Sequence, residues 1–145
     1  MAVTVKKITL WRSEVENKPG MLAQILSPLA GAGANLQVIM AYRFPGDSTR
    51  AAIEVFPASG RKSLEAARAA GLSPSSIPTL LAIGDDRPGL GSQIAEAIAG
   101  AGINLSFMVA QVIGRRYSGV YGFETEEDAR KATSLIKKAS RSRRK

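Results

Sequence analysis

Apolar and polar positions alternate over short stretches and then switch to helical spacing, and this switch occurs twice in the same order along the chain. Residues 8–15 and 79–83 are short apolar-rich runs that predict strands. Behind them Leu22, Ile25, Leu26 and Leu29, and again Leu90, Ile94, Ile98 and Ala101, recur three or four apart. That spacing gives each segment one apolar stripe and predicts an amphipathic helix able to lie on a sheet. Long β-rich runs follow, LQVIMAYRF and LSFMVAQVI, each leading through a polar, glycine-containing turn (PGDS, GRRYS) into RAAIEVF or GVYGFE. Each pair predicts an antiparallel hairpin. A second helix is predicted after each hairpin, over RKSLEAARAA in the first case and TEEDARKATSLIKKA in the second. The latter opens with acids and closes with lysines, the sense that the helix dipole favours, and Ala129, Ala132, Leu135, Ile136 and Ala139 form its expected buried face.

The periodicity doubles because the sequence does. ENKPGMLAQILSPLAGAGANL (residues 16–36) and DDRPGLGSQIAEAIAGAGINL (residues 85–105) align at an offset of 69, which places Pro19 on Pro88, Gly20 on Gly89, Gln24 on Gln93 and Asn35 on Asn104. The chain is a tandem duplication. In each copy Asn17 or Asp86 is a helix-capping residue type, and proline is tolerated in a first turn, where its missing N–H has no intrahelical partner; a helix is expected to start there. Gly31 and Gly33, or Gly100 and Gly102, are expected to end it. Pro28 lies inside the first helix and is expected to kink or shorten it. Each unit reads β-α-β-β-α with room for a last strand. The expected fold class is α+β: two ferredoxin-like βαββαβ units in tandem, antiparallel sheets with helices packed on one face. The expected boundaries are 1–73 for the first unit, 74–78 for a linker or edge strand limited by Pro74 and Pro78, 79–139 for the second unit and 140–145 for a basic disordered tail.

Charge changes this picture little. The net charge is +8, yet six basic residues stand among the last nine and leave +2 for the rest of the 145-residue chain. A nucleic-acid partner is therefore not expected from the body of the protein. YSGVYGFE imitates the aromatic strand of an RNA-recognition fold, but residues 79–83 offer no partner aromatic, so Tyr121 and Phe123 are expected in the core or an interface. GLGSQI lacks the third glycine of a dinucleotide loop. Cysteine and histidine are absent, which removes thiolate chemistry and the commonest base and metal ligand. Glu124, Glu126, Glu127 and Asp128 cluster where a helix dipole accounts for them. No catalytic residues, metal or cofactor are expected, and the protein is not expected to be an enzyme. With neither an apolar run of membrane length nor a leader pattern at the start, a cytoplasmic location is expected.

Strand, [Asn/Asp]-[Lys/Arg]-Pro-Gly, amphipathic helix, Ala-Gly-x-Asn-[Leu/Ile] and hairpin, present twice as NKPGML with GAGANL and DRPGLG with GAGINL, resemble the ACT domain, and most closely the small proteins built of two ACT domains. The resemblance covers about residues 5–139. It implies a regulatory fold that binds a free amino acid or similar small metabolite at the ACT–ACT interface, commonly as a homodimer, and that partners an enzyme or regulator of amino-acid metabolism. Carried over by position, it implies one ligand loop at Asn17, Lys18, Pro19, Gly20, Met21 and Leu22, and another at Asp86, Arg87, Pro88, Gly89 and Leu90. Asn35 and Asn104 would stand beside these loops, backbone N–H groups would take the α-carboxylate, and Asp86 or Asn104 the α-ammonium. The second copy fits the pattern better, while Ala34 and Pro28 depart from it in the first. The same residues also make sound capping turns. Two other functions stay open on the sequence: a ligand-free protein-interaction module, and RNA binding through the basic tail with Tyr117, Tyr121 and Phe123.

Overall fold

The computed structural model describes residues 3–141. In chain order the elements are β1 (Thr4–Ile8), β2 (Trp11–Glu16), α1 (Met21–Gly31), β3 (Val38–Phe44), β4 (Asp47–Phe56), α2 (Arg61–Ala69), β5 (Ser73–Pro74), β6 (Thr79–Asp85), α3 (Leu90–Gly100), β7 (Leu105–Ile113), β8 (Arg116–Phe123) and α4 (Glu126–Arg141). They form two compact units. A continuous unit holds residues 9–76, with sheet order β3-β4-β2-β5. A discontinuous unit joins the residues up to Ile8 to those from Ile77 onward, with sheet order β1-β6-β8-β7. All pairings are antiparallel. Both units have the ferredoxin-like order, and the alternation of strand runs and helix stripes is what produces it.

The N-terminal strand departs from expectation. In place of the single strand expected over residues 8–15 the chain makes two, because it leaves one sheet at Ile8 and enters the other at Trp11. Residues 3–8, placed by the sequence in the first unit, supply the edge strand of the second, with Thr4 opposite Ile83 and Ile8 opposite Thr79. In the continuous unit the same position is filled by β5, only two residues long and paired with Trp11 and Arg12, since Pro74 cannot extend a ladder.

The continuous core gathers Trp11, Val15, Ile25, Leu29, Ile53, Val55, Ala67 and Leu72. The discontinuous core gathers Leu80, Ala82, Leu90, Ile94, Ile98, Tyr117, Tyr121, Phe123 and the α4 residues Ala129, Ala132, Ile136 and Ala139, with Leu135 packed partly against them. Two members of the predicted helix stripes lie elsewhere: Leu22 is 39% exposed, and Ala101 is an exposed C-cap residue. Pro28 does not shorten its helix, as α1 and α3 both run for 11 residues; the N–H it lacks falls near the end, where little helix remains to be lost. Ser140 and Arg141, expected in a disordered tail, are the last residues of α4. Ser140 is buried, accepting from the N–H of Val3 at 3.1 Å and donating to the Lys137 carbonyl, which ties the helix end to the N-terminal segment. Residues 142–145, the rest of that expected tail, lie outside the described residues. No described helix is long and apolar enough to cross a membrane.

Candidate functional site

Each repeated Pro-Gly delivers a glycine at positive φ, Gly20 at 91° and Gly89 at 84°, immediately before a helix. These glycines are the N-caps: their carbonyls accept from the N–H groups of Gln24 and Gln93 at 3.0 and 2.9 Å. A side chain is strained at such φ, which explains why glycine ends the loop. Asn17 and Asp86 are thus not caps, and neither helix has a side-chain cap bond. Asn17 instead fastens the loop to the β3–β4 hairpin, its backbone N–H donating to the Thr49 carbonyl at 2.9 Å and Nδ2 to the Ser48 carbonyl at 2.8 Å. Asp86 is exposed and makes the corresponding backbone bond to the Arg115 carbonyl.

In the continuous unit this loop borders a groove of ≈ 210 Å³. Asn17, Lys18, Met21 and Leu22 line it from the loop and helix, Val15, Ala51, Ala52 and Ile53 from the sheet, and Ala41, Tyr42 and Arg43 from the edge strand. Its floor is apolar and its rim carries Glu16, Lys18 and Arg43. Lys18 and Glu16 form an exposed ion pair at 3.5 Å. Tyr42 hydroxyl donates at 2.8 Å to Oε2 of Glu54, a carboxylate with no exposed surface. Burial, then that hydrogen bond, raises the Tyr42 phenol above its ordinary pKa. The edge-strand residues were missed on the sequence. Period-two alternation puts Ala41 and Arg43 on the helix side of β3, and register sets them opposite Ile53 and Ala51.

Several expected ligand residues are not together. Asn35 and Asn104 were placed beside the loops because each precedes the next strand. An 11-residue helix, about 16 Å long, carries the chain to the far end of the sheet first. The neighbouring Gln37 N–H bonds the Phe56 carbonyl, whereas Asn17 bonds Thr49. Asn104 likewise donates to Glu124 at 3.2 Å, well away from Asp86 at the Arg115 turn. Pro19 and Gly20 shape the loop without lining the groove.

In the discontinuous unit the motif residues serve other ends. Arg87 donates to the carbonyls of Ser140 at 2.6 Å and Ala139 at 2.9 Å and to Gln93 Oε1, closing the C-terminal end of α4, where a cation suits the helix dipole. Leu90 is 1% exposed, a core residue. Arg87→Ala is expected to destabilise this unit by ~2–3 kcal/mol, with Arg87→Lys recovering only part, because a lysine lacks the fork that reaches two carbonyls and an amide together. Chemical denaturation of the three chains checks this. Tyr117, Tyr121 and Phe123 are 4%, 1% and 1% exposed, so they offer no face for base stacking. A larger hollow of ≈ 640 Å³ beside β1 and α4 contains no motif residue, and its rim charges pair with one another, Lys7 with Glu126 and Arg130 with Glu127. No cluster of Asp and Glu able to hold a metal ion occurs among the described residues.

No family model matches the sequence, and no curated protein does. Solved structures do match. Protein BT0572 from Bacteroides thetaiotaomicron superposes with a TM-score of 0.71 at 14% identity, covering 93% of this chain and 98% of its own. The regulatory subunit of aspartate kinase from Thermus thermophilus, in its ligand-free form, gives 0.64 at 20% identity over 96% of this chain and 97% of its own. Its counterpart from Thermus flavus gives 0.59 at 19% identity, with 96% and 97% covered. With two antiparallel ferredoxin-like units and end-to-end likeness to these structures, the chain has the tandem ACT fold.

Proposed function

We propose that this protein binds a free α-amino acid and thereby controls an enzyme or regulator of amino-acid metabolism, as the names of its aspartate kinase neighbours suggest. The observation that carries the reading is the groove beside the α1 N-terminus. First-turn N–H groups there have no side-chain cap, and Lys18 stands next to them, a setting for the ligand carboxylate. Glu16 and Asn17 Oδ1 suit the ammonium, and the floor of Val15, Ala41, Ala51 and Ile53 suits a short uncharged side chain. The small volume excludes anything of drug size. A bound ligand would act by population shift, favouring the arrangement to which it binds more tightly.

A homodimer restores a role for Asn35. The edge strand β3 exposes Ile39 and Tyr42. Antiparallel pairing of β3 with its copy would bring the far end of one sheet, with Asn35, against the loop end of the other.

A thermal-shift screen of ligand-free protein against the twenty amino acids tests the reading. One or two related amino acids are expected to raise Tm, a ligand at a hundred times its Kd adding about 2.7 kcal/mol. Lys18→Ala is expected to lower that gain without changing the unliganded Tm, since the pair it breaks is exposed. A flat screen rejects the proposal and favours a partner-docking module. Met108, Val109, Val112 and Ile113, exposed along β7, are the surface that module would use.

A further inference from the structure

The two repeats share a motif but differ at the positions that floor the groove. Ladder register identifies the equivalent positions: Ala51 lies between Val15 and Arg43, and Tyr117 lies between Gly84 and Val112, the same two positions 69 residues on. Tyr117 therefore stands where the continuous unit has Ala51, on the groove floor. By the same register Gly119 replaces Ile53 and Tyr121 replaces Val55. The Tyr117 ring lies over Gly119, so closely that a Cβ there would come within 3.0 Å of its Cε1 and Oη and within 2.7 Å of Tyr121 Cε2. The two phenols hydrogen-bond each other and are almost wholly buried. The loop has changed in step: Leu90 is core where Met21 is half-exposed, and Arg87 is committed to the end of α4 where Lys18 reaches solvent.

We infer that the chain carries one amino-acid site rather than two: the groove of the continuous unit is the site, and in the discontinuous unit the Tyr117 phenol occupies the corresponding space, leaving that copy a structural one. The inference rests on the amino-acid-binding reading above, and it reverses the sequence-based preference for the second copy. Three separate substitutions support it, Tyr117 for Ala51, Gly119 for Ile53 and the Arg87 clamp for Lys18.

The test is calorimetric titration of the full chain, freed of ligand by dialysis, with each of the twenty amino acids, followed by hydrogen exchange on the saturated complex. One ligand per chain is expected. Exchange is expected to slow at residues 16–22 and to stay unchanged at residues 85–91. Ala51→Tyr, which places the phenol in the groove, is expected to weaken binding at least tenfold; should that chain not fold, Lys18→Ala is expected to weaken it as well. Two ligands per chain, slowed exchange at 85–91, or undiminished binding by a folded Ala51→Tyr chain each overturn the single-site inference while amino-acid binding itself survives. Silence with all twenty amino acids overturns both.

Discussion

Removal of residues 1–8 is expected to unfold the discontinuous unit and to leave the continuous unit folded. The deleted segment is the whole of β1 and the ladder it makes with β6. Val3 and Ile8 are 3% and 4% exposed, and burying each contributes about 1.5–3 kcal/mol. The Val3 N–H bond to Ser140 adds about 1 kcal/mol and secures the end of α4. Together these losses match the ~5–15 kcal/mol by which a whole domain is normally stable. Trp11, the lone tryptophan, is buried in the continuous core, so its fluorescence reports that unit while far-UV circular dichroism reports the whole chain. In urea the shortened chain is expected to keep its fluorescence transition and lose part of its helical signal before it. Coincident transitions at the full-length midpoint would show that β1 is dispensable.

Alkaline pH is expected to destabilise the discontinuous unit steeply through the Tyr117–Tyr121 pair. Burial raises Tyr117, and burial followed by the Tyr117 hydroxyl raises Tyr121 well above the ordinary phenol range. The unfolded chain releases these protons near pH 10 while the folded core holds them. The stabilisation is therefore complete below about pH 10 and falls as pH rises, approaching about 1.4 kcal/mol per pH unit for Tyr121, with a further share from Tyr117. Over two units, Tyr121 alone forfeits about 2–3 kcal/mol. A Tyr117→Phe/Tyr121→Phe chain gives up one hydrogen bond, about 1 kcal/mol, and should show a much flatter decline. Urea midpoints of both chains from pH 8 to 12 decide it, the lysines being common to both. Parallel declines would mean that the phenols titrate freely in the folded protein.

The helices and hairpins were legible because their signal is local: Ile25 and Leu29, or Ile94 and Ile98, carry their burial in their own spacing. The destination of β1 was not, since Val3, Val5 and Ile8 say that a strand wants a core but not which of two cores. Thr4 meets Ile83 across 79 positions of chain, and no periodicity encodes such a partner. The site divided in the same way. Loop residues 17–22 stood out through repetition. The clamp made by Arg87 did not, because its partners are carbonyls on the last turn of a helix 52 and 53 positions away. The equivalence of Tyr117 and Ala51 was hidden by an indel. The first hairpin is three residues longer between these positions, so a constant offset of 69 sets Tyr117 against Ser48.

The two-part build of the discontinuous unit also sets an order of events during synthesis. Chains emerge N-terminus first, at about 5–20 residues per second, and domains fold as they become complete. The strand made earliest, β1, has no partner until residues 79–83 appear, by which time all of the continuous unit has left the ribosome and can already be folded. An apolar strand waiting for several seconds is exposed to pairing with the wrong chain. Lys6 and Lys7, both exposed on the finished edge even with Lys7 paired to Glu126, are the sort of charge that discourages such pairing while the strand waits for the second half of its sheet.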